Sequence, residues 1–112
     1  MAEYKAGPIR RKPTHPGKII ASYLEGLEIT PYAAAPQLGI TKQALGNVIA
    51  GKSAVSIGLA LRLSRYFRNT TPEFWMGMQN AHDFWVERQK IKGELARIEA
   101  VWDPPEEIPV EE

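Results

Sequence analysis

From Pro16 onward, apolar residues fall at three- and four-residue spacing: Ile19, Ile20, Tyr23, Leu24 and Leu27. That spacing marks one buried face of a helix, and Gly26 near its end predicts an early stop. Two shorter groups follow, Ala34, Ala35 and Leu38, then Leu45, Val48 and Ile49, with Ile40 between them. Each group is preceded by a threonine. Thr30 suits the cap of the first, with Pro31 in its first turn, where a missing N–H does no harm. Gly39 can take the left-handed conformation that ends this helix, and Thr41 caps the next. Helices are therefore predicted over 30–38 and 41–50, the second closed by Gly51. Lys52–Val55 is a polar link, and Ser56 caps a further helix whose Ala60, Leu63 and Phe67 share a face widened by Leu59 and Leu61. Thr71-Pro72-Glu73 is another cap-plus-proline start, leading into FWMGMQNAHDFW. Helix-compatible residues of mixed charge carry the pattern through Val86–Val101, weakened at Gly93. Pro104, Pro105 and Pro109 end regular structure. No segment alternates with the period of a strand, so the fold class is all-α.

At 112 residues the chain accommodates one domain with tails. The expected organisation is a flexible basic arm over 1–15, a helical domain over 16–101 and an acidic, proline-rich tail over 102–112. The net charge of +1 conceals an asymmetry. Lys5, Arg10, Arg11, Lys12 and Lys18 load one end, while Asp103, Glu106, Glu107, Glu111 and Glu112 load the other. A basic arm suits phosphate and an acidic tail suits a basic partner. The chain has no cysteine, which excludes disulfides and thiolate metal sites and fits a reducing cytoplasm. No run approaches the roughly 20 apolar residues of a membrane span, and the N-terminus carries no signal-peptide core. No membrane association, cofactor or small-molecule ligand is expected.

Two short helices joined by a tight turn form the layout of a helix-turn-helix, whose second helix enters the DNA major groove. Ala34, Ala35, Leu38, Ile40, Leu45, Val48 and Ile49 supply its inner face. Thr41, Lys42, Gln43, Ala44 and Asn47 form the outward stripe, densest in the turn that reaches base edges. Gln43 can pair with adenine, Lys42 with guanine or phosphate, and Ala44 can touch a thymine methyl. Asn47, one turn on, can reach a base or the backbone. Thr41 with the amides it caps, Lys52 and Ser53 suit phosphate.

Phe74 and Trp75 are expected to pack on the helix that Ser56 opens. Met78, Ala81, Phe84 and Trp85 continue at helical spacing and are the candidate dimer interface, since exposed apolar patches mark interfaces. A twofold dimer on this helix would set two recognition helices about one DNA turn (~34 Å) apart. Trp102 is expected to anchor on this domain or on a partner. His15 and His82 lie far apart in a chain without a metal-binding or catalytic motif, so no enzyme is indicated. Tyr23, Tyr32 and Tyr66 read as core or rim residues.

HPGKII at His15–Ile20, the helix-turn-helix with Gly51-Lys52, ALRLSRYF at Ala60–Phe67 and TPEFWMGMQNAHDFW at Thr71–Trp85 together resemble the HigA antitoxins. These are a branch of the Xre/Cro-repressor helix-turn-helix family. The resemblance spans roughly residues 15–88. It implies a five-helix, lambda-repressor-like domain, here with an extended C-terminal helix. It also implies a homodimer that binds a palindromic operator in its own promoter, and pairing with a HigB-like toxin of the RelE ribonuclease fold. Three residues depart from the family's pattern. Pro31 stands where relatives commonly carry a Gln or Ser able to touch phosphate. Pro36 lies inside the same helix, and Gly46 lies midway along the recognition helix, costing roughly 1 kcal/mol against alanine. The alternatives are a stand-alone helix-turn-helix repressor without a toxin, and a protein-interaction module with a decayed helix-turn-helix.

Overall fold

The computed structural model describes residues 11–103, which hold six helices and no strand. They are α1 (Pro16–Gly26), α2 (Pro31–Leu38), α3 (Lys42–Ile49), α4 (Ile57–Tyr66), α5 (Pro72–Lys90) and α6 (Lys92–Ala96). Hydroxyl caps open four of them. Thr30, Thr41, Ser56 and Thr71 each accept a hydrogen bond from the amide three residues on, at 3.0–3.1 Å. Such caps satisfy amides that have no partner within the helix and contribute about 1 kcal/mol each.

α2 ends at a left-handed Gly39 (φ 77°), with the Ile40 amide bonded to the Ala35 carbonyl at 3.0 Å and the Gly39 amide to that of Pro36 at 3.1 Å. This doubly bonded ending fixes the turn between α2 and α3. α2 runs two residues beyond Pro36, whose missing N–H falls on the helix's exposed side. α1 ends differently from expectation. Gly26 is its last helical residue, and the left-handed position is Glu28 (φ 58°), bracketed by bonds from Glu28 to Glu25 and from Ile29 to Leu24.

The core is built on Ile20, Leu24, Ala34, Ala35, Leu45, Leu63 and Trp75, all buried. α1 and α2 pack on α3, and α4 lies along α5. Trp75 is fully enclosed, its indole N–H donating to Thr70 Oγ1 at 3.1 Å and its ring edge-on to Tyr23 at 5.9 Å. Phe74, expected to share this packing, contacts the Trp75 ring edge-on but remains 40 % exposed.

The long C-terminal helix is shorter than its sequence pattern. It breaks at Ile91, two residues before Gly93, and α6 ends at Ala96 without burying a residue. Helix propensity alone holds this stretch, and short helices without a packed face are marginal in water. Trp102 is 69 % exposed and makes no anchor on this domain. Lys5 and Arg10 of the basic arm, and Glu106, Glu107, Glu111 and Glu112 of the acidic tail, lie outside the described residues. No helix among those described is long and apolar enough to cross a membrane.

Candidate nucleic-acid interface

α3 owes its position to the first turn of α1. His15 caps α1 with its ring, Nδ1 accepting from the Gly17 amide at 2.9 Å, and Pro16 occupies the first helical position. Gly17 then meets the back of α3 so closely that a Cβ there would lie 2.0 Å from the Val48 carbonyl oxygen. The HPG tripeptide is thus a cap, a start and a close crossing in consecutive residues.

With its back held, α3 turns Thr41, Lys42, Gln43 and Ala44 to solvent, and Leu45 and Val48 into the core. Thr41 satisfies the Ala44 amide, which leaves the Lys42 and Gln43 amides facing outward at the positive end of the helix dipole. Lys42 does not extend freely. Its ammonium lies 3.9 Å from the centre of the Tyr32 ring, a cation–π contact from α3 to the first turn of α2. Tyr32 is therefore more than a rim residue, although helical periodicity does not reveal a contact between two different helices. Ala44, Asn47 and Ser53 line one shallow cavity of about 400 Å³ together with Arg62. Arg62 also donates to the Leu38 carbonyl at 2.8 Å and so buttresses the turn before α3. Gly46 is exposed with open space around it.

The loop carrying Lys52 and Ser53 is fastened at both ends. Its start is pinned by α3 itself, because the Lys52 and Ser53 amides both reach the Asn47 carbonyl, at 2.8 and 3.2 Å. Its end is pinned by α5, where buried Gln79 accepts from the Val55 amide at 2.7 Å through Oε1 and donates through Nε2 to Asp83 at 2.9 Å. Lys52 and Ser53 themselves stay exposed. Asp83 also meets His82 Nδ1 at 3.3 Å, and the His82 ring stands edge-on to His15 at 4.9 Å. The two histidines, distant in sequence, therefore meet beside the interface. Gln79, Asp83 and His15 were visible only as letters of a family pattern; their roles depend on contacts across the fold.

His15 titrates below its ordinary value of 6.5, chiefly through burial and then through the charge of His82, with a smaller push from Lys12. Asp83 and a hydrogen bond with the Ser53 backbone oppose this. A base with a depressed folded pKa stabilises the fold fully above 6.5; below that, the unfolded chain takes up the proton first. Stability in urea should therefore fall as pH drops below 6.5. His15→Asn keeps a cap oxygen without the titration and should flatten that decline. Superimposable pH profiles for the two proteins would contradict this role.

Of the proposed dimer residues, Ala81 and Phe84 are exposed, and Met78 is half-buried against the core. Trp85 is half-buried, with its indole N–H enclosed and unpartnered among the described residues.

A five-helix core closed over a capped helix-turn-helix, with a polar first turn on its second helix, defines a lambda-repressor-like helix-turn-helix protein. No protein-family model matches the chain. It is 36 % identical over 95 residues to virulence-associated protein A' of Dichelobacter nodosus, covering 84 % of this chain and 79 % of that protein. It is 31 % identical over 94 residues to antitoxin HigA-1 of Vibrio cholerae, covering 83 % and 88 %. Pseudomonas aeruginosa HigA, solved with the higBA promoter, superposes with a TM-score of 0.75 at 27 % identity, covering 80 % of this chain and 99 % of that one. The chain belongs to the HigA antitoxin family.

Proposed function

We propose that this chain is the DNA-binding antitoxin of a type II toxin–antitoxin pair, repressing its own operon as a dimer and neutralising a HigB-like, RelE-fold ribonuclease toxin. The observation that carries the reading is the exposed first turn of α3 on a fully capped, buried helix-turn-helix. The solved HigA relative bound to its promoter supports the same use of this face. Gln43 and Ala44 are the base-reading residues. Thr41, Lys42 on its Tyr32 platform, Lys52 and Ser53 hold phosphates, and Asn47 reaches a base or the backbone from the second turn. Met78, Ala81, Phe84 and Trp85 on α5 form the twofold contact. The exposed first turn also separates this reading from a decayed helix-turn-helix, because every cap that the motif needs is made.

Repression on this account is steric, the dimer on its operator excluding polymerase. Lys52→Ala should weaken binding to operator and to scrambled duplex alike and make the salt dependence shallower by about 0.9 in the log–log slope, the release of one phosphate contact. A relaxed base preference instead would move Lys52 from the backbone to a base. For the toxin, co-expression with the product of the neighbouring reading frame should give a stable complex that suppresses ribonuclease activity. A neighbour that neither binds nor cleaves RNA would leave a repressor without a toxin.

A further inference from the structure

At the C-terminal end of α3, away from its base-reading turn, a second cavity of about 400 Å³ is walled by Lys12, His15, Lys18, Gly51 and His82. Three segments converge there: the residues leading into α1 with its first turn, the end of the recognition helix, and the middle of α5. Among the described residues, no carboxylate lies within 4 Å of the Lys12 or Lys18 ammonium. The two imidazoles supply ring nitrogens in the same wall, and no carboxylate lines it. Its rim includes Gly51, the residue before Lys52, so the cavity continues the surface on which the phosphate-contacting loop stands.

We infer that this cavity is a second station for the DNA backbone, receiving one phosphate beside the C-terminal end of α3 through Lys12 and Lys18. The inference rests on the DNA-binding reading above and extends the footprint of each protomer beyond the Lys52–Ser53 loop. Uncompensated ammonium groups around a polar recess are suited to a diffuse, sequence-independent anion, and a phosphodiester is the anion presented next to this loop. Its location also links the station to the loop, because His15 faces the Ser53 backbone on one side and the cavity on the other.

The test is a titration of operator and scrambled duplexes over a series of potassium chloride concentrations, using the full chain. Lys12→Ala with Lys18→Ala should make the log–log salt slope shallower by about one to two units, at ~0.9 per phosphate contact. Affinity should fall by the same factor on both duplexes, with thermal melting unchanged because both side chains are exposed. Lys92→Ala, on α6, should leave the slope alone. An unchanged slope in the double variant would overturn the station, as would an equal loss from Lys92→Ala, which would reduce the effect to bulk charge. Lys52→Ala in the same series separates the two levels: if it flattens the slope and the double variant does not, only the station is lost. If wild type binds no duplex at any salt concentration, both fall. Inorganic phosphate titrated against the His15 and His82 ring resonances should bind only weakly. Tight saturation, with the DNA slope unaffected, would assign the cavity to a small anion and overturn the DNA assignment.

Discussion

Gly17→Ala is expected to destabilise the fold by about 3 kcal/mol, the upper range for overpacking a close contact. The added Cβ would lie 2.0 Å from the Val48 carbonyl oxygen, 2.9 Å from its carbonyl carbon and 3.0 Å from Ile49 Cα. All three atoms are backbone, so no side chain can swing away; α1 and α3 must separate. That separation also carries the C-terminal end of the recognition helix away from the His15–His82 corner. Gly26→Ala, at the other end of the same helix, is the control, because nothing lies within 4 Å of its Cβ. Urea unfolding should show the first variant strongly destabilised and the second at or above wild type, since alanine favours helix by up to ~1 kcal/mol over glycine. Equal behaviour would mean that the close crossing is not what this position is for.

Gln79→Leu is expected to lower stability by about 1–3 kcal/mol, because it leaves the buried Val55 amide without an acceptor while nearly preserving volume. The larger consequence falls on DNA. Without this bond the end of the Lys52–Ser53 loop is released from α5, and ordering it on binding opposes the phosphate contact it makes. Operator affinity should therefore drop further than Lys52→Ala alone explains. The partner exchange offers a rescue. Gln79→Glu keeps an oxygen for Val55 but sets a carboxylate against Asp83; adding Asp83→Asn restores an amide–carboxylate pair with the roles reversed. The double variant should recover most of the stability lost in Gln79→Glu. No recovery would show that the Gln79–Asp83 bond contributes nothing to holding the loop.

These two positions also show where the sequence was readable. Thr30, Thr41, Ser56 and Thr71 announced their helices because a cap bonds within its own first turn, and Pro16, Pro31 and Pro72 stand in first helical positions for the same local reason. Gly39 announced the turn through the conformation it alone adopts without strain. The inner face of α2 and α3 followed from spacing. What stayed hidden was every contact made across the fold: Gln79 to Val55, Arg62 to Leu38, Lys42 to Tyr32 and His15 to His82. Glu28 concealed the end of α1, since a left-handed glutamate carries no signature, and Gly26 drew attention two residues early. The pattern beyond Lys90 misled for the opposite reason. Its residues tolerate helix, but nothing packs on them to hold one.

For the interface itself, the outward stripe of α3 was legible as Thr41, Lys42, Gln43 and Ala44, all of them exposed. Their supports were not, and the supports decide how rigidly the stripe is presented. Gly17 sets the depth of α3, Arg62 and Gly39 its entry, and Gln79 the loop that leaves it. Each lies on a different element, so the reading surface is a property of the whole domain.

The central claim is that the first turn of α3 reads base edges, and Gln43→Ala tests it most directly. Its side chain is exposed and outside the core, so the variant should melt with wild type. Fluorescence anisotropy on the chain's own promoter duplex should show a loss of about 1–3 kcal/mol, with scrambled duplex bound as before. An unchanged operator affinity, or an equal loss on both duplexes, would contradict the account.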